Sequence, residues 1–437
     1  MRKIFSLIFI ISLLSAFGCQ KNIFQSPTVA PASLRDVPAL RLNFRFESDV
    51  PAPPEANVNA QSEDRNAAVQ ADFDQNRQQE LLDKTVISPD KQRVLAVYHN
   101  ASDQPSEFRL DMYSPDGKLL KKITYDGMAV HFPDTILWSP DSKTIAFVAM
   151  IRSGLPGGQA IPTPTPAENQ ANTAASSQAN TNPEANTNAA AENTPAAAAP
   201  SQVEQPQAVL TLGTEQIYIC GSDGGDLKLV TQNQRLIYFY FVWSPDGSML
   251  AAMAATPQEW RYLEYQAKEI KGEIFVPFGR LRLVEKNGRE RLLDDNLTKV
   301  RPVWSPDSAK VAIAYETQVR VYDAIGNAPT QAAIPLKNQL LISSKAFDEE
   351  LQRKEQGGDA NAAPAGANTN ANQAVSTLPD ETSLVSFSPI VELRWTEAGM
   401  LYLQTGYVKL FIREAENVRS YMRWHRLIFS PQPTTIK

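Results

Sequence analysis

The stretch Ile136–Met150, ILWSPDSKTIAFVAM, sets an aromatic residue and a tight polar turn in front of an unbroken apolar run. The same order returns at Val242–Ala255, VWSPDGSMLAAMAA, and at Val303–Tyr315, VWSPDSAKVAIAY. Ser-Pro-Asp-Gly suits a type I turn: serine caps, proline presets φ at the second position, aspartate fits the third and glycine ends it. The run behind each turn (Thr144 to Met150, Met249 to Ala254, Val311 to Tyr315) is apolar at consecutive positions. That pattern is expected of a strand buried on both faces. A hairpin follows in most units: Phe108 to Thr124, Gln216 to Thr231 and Gly279 to Leu293 set a DG, GG or NG dipeptide between alternating strands. Those dipeptides are strong hairpin signals. Turn, buried strand, hairpin and return make a four-stranded unit.

The unit repeats. Ser88-Pro89-Asp90 opens the series, followed by Trp138-Ser139-Pro140-Asp141, Trp243-Ser244-Pro245-Asp246 and Trp304-Ser305-Pro306-Asp307. The serines are spaced by 51, 105 and 61 residues, and the middle interval falls to 50 once Ser153 to Gln207 are set aside. A degenerate fifth copy, LRWTEAGMLYLQT at Leu393 to Thr405, puts Trp395 in the tryptophan position, and RLIFSP at Arg426 to Pro431 reads as a partial sixth. Periods of this length with several strands each belong to propeller blades. The expected fold is therefore an all-β propeller of five or six four-stranded antiparallel blades, six being favoured. At these residues the chain resembles the TolB-like β-propellers, whose repeats carry a WSPDG signature before an apolar strand. The resemblance covers most of Val86 to Pro431 outside the insertions; Ile87 and Phe387 stand where a tryptophan would be. It implies architecture, because this repeat serves many functions.

The N-terminus reads as an address. Arg2 and Lys3 precede the apolar stretch Ile4 to Leu14, too short for a membrane span of about 20 residues. LLSAFGC, Leu13 to Cys19, resembles a bacterial lipobox, although Ala16 and Phe17 depart from its usual residues. The resemblance implies a signal peptide over residues 1–18, lipidation of Cys19 and membrane anchoring. Gln20, a residue other than Asp, implies the outer membrane facing the periplasm, or the outer face of the plasma membrane in a cell with one membrane. The alternative is an ordinary cleaved signal. Loss of Arg2 and Lys3 leaves 40 basic against 48 acidic residues, which does not suit a nucleic-acid binder. With Cys19 acylated, Cys220 has no disulfide partner in the chain, and its apolar surroundings in sequence suit a small buried hydrophobe.

Three segments, Pro51 to Ala71, Pro162 to Pro200 and Gly357 to Ala374, are built from Ala, Asn, Pro, Thr, Gln and Ser with almost no aromatic or β-branched aliphatic residues. Such segments bury too little apolar surface to offset the chain entropy lost on ordering. Residues 19–80 are accordingly expected as a largely disordered tether with a strand near 39–47. Residues 81–437 are expected as the propeller, interrupted by disordered insertions near 153–207 and 357–380. Two stretches carry a helical rhythm instead: Glu259 to Lys271, with Trp260, Leu263, Ala267 and Ile270 on one face, and Ser343 to Gly358, with acids early and bases late. Each reads as a short helix on the rim or as a docking element. The docking residues proposed from sequence are Trp260 and Tyr262, with Arg423 and Trp424 of the aromatic and basic run Asn417 to Phe429.

Chemistry leaves few local marks. No Gly-x-Ser-x-Gly nucleophile elbow occurs. The three histidines, His99, His131 and His425, are far apart in sequence, and no HExxH, paired-Cys or EF-hand pattern is present. The turn aspartates Asp90, Asp141, Asp246 and Asp307 are expected to bond their own backbone rather than a shared cation. These observations lead to the expectation of a monomeric, membrane-anchored envelope propeller without cofactor or metal. It would bind a protein or a cell-wall polymer through one face and would not be an enzyme. The alternatives are an envelope hydrolase or lyase with a carboxylate site at the propeller mouth, and a structural scaffold.

Overall fold

The computed structural model describes residues 28–29, 33–54, 65–101, 103–104, 106–151, 215–233, 235–326, 329–356, 378–432 and 434–435. Residues 1–18, expected as a signal peptide, Cys19 and most of the two expected insertions lie outside the described residues. The protein is an all-β propeller of four-stranded antiparallel blades, and the described residues form five of them. Blade 1 comprises Glu80–Ile87, Val94–Asn100, Arg109–Tyr113 and Leu119–Lys122. Blade 2 has a first strand in two pieces, Met128–Ala129 and Leu137–Trp138, then Thr144–Ile151, Gln216–Gly221 and Lys228–Leu229. Blade 3 comprises Ile237–Trp243, Met249–Ala255, Arg280–Glu285 and Glu290–Leu292. Blade 4 comprises Val303–Trp304, Lys310–Tyr315, Gln318–Asp323 and Gln331–Pro335.

Blade 5 is assembled from both ends of the chain. Ile390–Glu397, Met400–Thr405 and Arg423–Pro431 are its first three strands, and the fourth is Leu42–Glu47, in register from Leu42 opposite Pro431 to Glu47 opposite Arg426. The strand expected near 39–47 is thus present, and it belongs to the propeller. Arg426–Pro431, read as the start of a sixth unit, is instead part of the third strand of blade 5. Phe387-Ser-Pro precedes the first strand of that blade and is not a repeat turn. Helix α1, Ala67–Asn76, falls where tether was expected. Asn66 caps it, accepting from the amides of Ala68 and Val69 at 3.0 Å each. Val69 and Phe73 then pack on Leu82, Tyr98 and Tyr113 of blade 1. Two apolar residues one turn apart suffice to dock a polar helix, which is why composition alone missed it.

The apolar runs are the second strands of their blades, flanked on both sides, with Ala146, Phe147, Val148, Ala251, Ala252, Val311, Ala312 and Ile313 fully buried. The turns before them share one geometry. In each, the serine hydroxyl donates to the aspartate Oδ1 two residues on, at 2.6 Å for Ser88, 2.5 Å for Ser139 and 2.6 Å for Ser244 and Ser305. The Ser88 hydroxyl and the Gln92 amide hold the Asp90 carboxyl below its ordinary range. The residue after the aspartate has left-handed φ in all four turns: Lys91 at 60°, Ser142 at 59°, Gly247 at 67° and Ser308 at 60°. Glycine takes that conformation without strain, yet only one copy has it.

The serines at that position reach the neighbouring blade. Ser142 Oγ accepts from the Asp90 amide and Ser308 Oγ from the Asp246 amide, each at 3.0 Å. The tryptophans do the same from the other side of the turn. Trp138 Nε1 donates to Val86 O (3.2 Å), Trp243 Nε1 to Leu137 O (3.4 Å) and Trp304 Nε1 to Val242 O (3.1 Å). Each indole therefore ties its blade to the first strand of the blade before it. Trp395 differs, donating within its own blade to Ala398 O at 3.3 Å.

The insertion face as candidate functional site

Alternating strand direction gives the blades two unlike ends. First-to-second and third-to-fourth connections fall at one end, and second-to-third and blade-to-blade connections at the other. The first end holds the WSPD turns and the short hairpins and is called the turn face. Residues 256–279, 336–356 and 406–422 lie at the second end, the insertion face, as do Ile151 and Glu215 on either side of one expected insertion.

Two helices stand there. Thr256 and Glu259 form a reciprocal capping box that starts α2, Pro257–Tyr265, which continues as a π-helical turn over Gln266–Ile270. Glu259 also binds Arg280, the first residue of the third strand of blade 3, through two 2.7 Å hydrogen bonds. That pairing with Arg280 lowers the Glu259 carboxyl to about 2. Trp260 is the buried anchor, edge-on to Phe132 at 5.9 Å, Phe239 at 5.4 Å and Phe275 at 5.1 Å. Beyond it the chain bridges to blade 5: Ile274 N donates to Leu410 O at 2.7 Å and Ile412 N to Gly272 O at 2.8 Å. Blade 4 lies between these two blades in the chain, so the bridge skips one. Helix α3, Lys337–Glu355, starts six residues before the stretch expected from sequence.

Four docking residues were expected, and burial divides them. Trp260 is 6% and Arg423 5% exposed, so neither offers area to a partner. Trp424 is half-buried under Arg394, whose guanidinium lies 5.3 Å from its ring. Tyr262, at 62%, is open to solvent. Arg423 is a structural clamp instead. It donates to both carboxylate oxygens of Asp49 at 2.7 and 2.8 Å, to Ser344 Oγ at 2.9 Å, to Ser386 Oγ at 3.2 Å and to Ser343 Oγ. It thereby fastens α3 and the segment after the N-terminal strand to blade 5. Beside it His425, fully buried, takes a hydrogen bond from the Asp49 amide at 3.3 Å and lies 3.0 Å from Thr405 Oγ1. Burial, helped by the Arg423 charge, pushes its imidazole down to about 4.

A second histidine has a different setting. His131 follows the first piece of the first strand of blade 2, and its Nδ1 stands 3.4 Å from Glu215 Oε1. The side chains are 8% and 0% exposed. The bridge between Phe108 and Val130 sets Glu107, itself buried, in register opposite His131. Neither imidazole nitrogen makes an aligned hydrogen bond among the described residues. Phe132, the next residue, packs on Trp260, so the pair sits beneath α2 and beside the point where residues 152–214 leave. A carboxylate at this distance can orient the ring. Sequence reading passed over this pair because its members are 84 positions apart with no motif around either.

The turn aspartates converge on nothing; each carboxylate is used by its own turn. Among the described residues no group of three or more His, Cys, Asp or Glu side chains is placed to hold a metal ion. Cys220 is buried, which pushes its thiol up to about 12 and leaves it an inert packing residue. No helix among the described residues is long and apolar enough to cross a membrane.

No family model and no curated protein matches the chain. Solved structures do, at low identity. Prolyl oligopeptidase B from Galerina marginata is 10% identical, with 80% of this chain and 36% of that one covered and a TM-score of 0.35. An oligogalacturonate lyase in complex with manganese is 9% identical over 80% of this chain and 65% of that one, with a TM-score of 0.31. Dipeptidyl peptidase 4 of Porphyromonas gingivalis is 9% identical over 77% and 46%, with a TM-score of 0.32. The chain thus spans between about a third and two thirds of the length of these proteins. Similarity at this level extends to the fold and to no particular substrate. The expectation of a non-enzyme is nonetheless corrected, since the structures it resembles are enzymes. The sequence argument excluded a nucleophile elbow and local metal motifs. A site assembled from separate blades leaves neither.

Proposed function

We propose that the chain is a cell-envelope propeller enzyme, a hydrolase or lyase, that works from its insertion face on an envelope polymer or peptide. The observation that carries this reading is the buried His131–Glu215 pair with its imidazole nitrogens unengaged by hydrogen bonds. Cleavage of a glycosidic or peptide link requires a proton to be taken and given, and an imidazole beside a carboxylate can relay one from a buried position. Glu215 is the orienting carboxylate and Glu107 the nearest further acid in register. The WSPD repeats support the TolB-like assignment, and the lipobox supports a lipid anchor at Cys19.

The mature protein, assayed on peptidoglycan, other envelope polysaccharides and peptides, should turn over one of them. His131→Ala and Glu215→Gln should each lower turnover per folded molecule by about 10²-fold or more, the range of general acid–base catalysis. Turnover that survives both substitutions contradicts the assignment. Cys19→Ala should release the protein from membranes, and unchanged association would contradict the anchor.

The same face favours a second reading, the docking of a protein or polymer. Tyr262, Tyr265, Ile270 and Ile412 are 62%, 55%, 60% and 66% exposed on the two bridged segments. Affinity capture from envelope extracts should lose its partners when residues 257–276 are replaced by a short linker. Retained partners would remove these segments from the docking surface.

A further inference from the structure

We propose that the turn face lies toward the membrane and the insertion face points away from it. The inference rests on the lipid anchor at Cys19 proposed above. It follows from where the N-terminal segment enters the fold. Leu34 O accepts from Lys310 Nζ at 2.8 Å, Arg35 Nη1 donates to Asp307 O at 3.2 Å, and the Ala39 amide donates to Asp323 Oδ2 at 2.9 Å. Lys310 and Asp307 belong to the WSPD turn of blade 4, and Asp323 ends its third strand; all three are at the turn face. The Gln432 amide closes the same end against Arg41 O at 3.0 Å. Still earlier, Thr28 and Val29 pair with Thr435 and Thr434, just beyond the turn-face end of Arg423–Pro431.

Eight residues then lie between Cys19 and Thr28, nine Cα–Cα steps in all, a reach of at most about 32 Å however they run. The strand Arg423–Pro431 crosses from face to face in nine residues, roughly 30 Å at strand rise. Helices α2 and α3 add about 10 Å beyond its end. The tether is therefore too short to pass the blade and leave the insertion face against the bilayer. Charge does not decide the matter, because the exposed Lys91, Lys118 and Lys143 of the turn face alternate with exposed Asp116, Asp223 and Asp226. The length and entry point of the tether set the orientation.

The full lipoprotein in vesicles tests this. Lys118→Cys on the turn face and Tyr262→Cys on the insertion face are each labelled with a fluorophore, Cys220 being buried and unreactive. Vesicles carrying a headgroup quencher should quench the label at 118 severalfold more than the label at 262. A long Gly-Ser insertion between Cys19 and Thr28 should even out the two signals while the protein still floats with the vesicles. Equal or stronger quenching at 262 in the parent protein would overturn the orientation. So would a bias toward 118 that survives the long insertion, because it would show that the turn face binds the bilayer by itself. Loss of flotation would overturn the anchor reading, and the orientation with it.

Discussion

The two ends of the blades are built by opposite rules. At the turn face four copies of one turn place serine, aspartate and a left-handed residue identically, and three indoles bond the preceding blade. At the insertion face the described connections differ: one carries a π-helical turn, another a helix of 19 residues, another a bridge that skips a blade. Repetition therefore marks the residues that join blades, and irregularity marks the residues free to take on chemistry. Propellers divide labour in this way because each joint poses the same packing problem, whereas a site needs unlike groups brought together from distant parts of the chain.

The comparison breaks most strongly at the indoles. Trp138 is 2% exposed and is bonded to Val86 O. Trp138→Ala should cost about 3–5 kcal/mol, the usual range for emptying a large buried aromatic site. Urea unfolding should show the loss as a lower midpoint, and a change below about 1 kcal/mol would mean that the indole is not a joint. Trp395→Ala breaks no hydrogen bond between blades, but its ring packs in the apolar cluster shared by blades 4 and 5, so its loss should lower the midpoint through packing alone.

The insertion face should show itself through pH. The folded His425 imidazole sits at about 4, below the ordinary value of 6.5. Between those values the unfolded chain binds a proton that the folded one does not. Stability from this residue is complete above pH 6.5 and is lost as pH falls toward 4, amounting to about 3 kcal/mol at most. Denaturation midpoints between pH 7 and 4 should fall in the parent protein and flatten in His425→Gln. Equal slopes would place the acid sensitivity elsewhere.

A smaller effect belongs to the serines between turns. Ser142→Ala removes the acceptor of the Asp90 amide and should cost about 1 kcal/mol. Gly247 occupies the same position, where an added Cβ would meet Pro140 and Ser139 at ordinary contact distances of 3.5 and 3.6 Å. Gly247→Ser should gain the missing bond and lose glycine's ease at positive φ, leaving stability within about 0.5 kcal/mol of the parent.

How far each face could be read from sequence follows from the same division. WSPD turns, apolar second strands and DG or NG hairpins are local signals, so blades 1 to 4 were visible before any coordinates. Blade 5 was half hidden because its fourth strand comes from the far end of the chain, and no local pattern announces that Leu42 pairs with Pro431. Helix α1 was hidden by polar composition, its apolar docking resting on Val69 and Phe73 while Asp72 accepts from the Tyr113 hydroxyl at 2.7 Å. The pairing of His131 with Glu215 depends on two blade 2 strands separated by a long insertion. Arg423, expected at the surface from its aromatic neighbours, proved buried because Asp49 and three serines reach it from distant segments.

Joint and site can be separated by one side-by-side measurement. Turnover per folded molecule and denaturation midpoint are measured for Ser142→Ala and His131→Ala on the same envelope substrate. Ser142→Ala should unfold earlier and turn over at the parent rate, while folded His131→Ala should lose about 10²-fold in turnover whatever its midpoint. Loss of turnover in folded Ser142→Ala, or full turnover in His131→Ala, would contradict that separation.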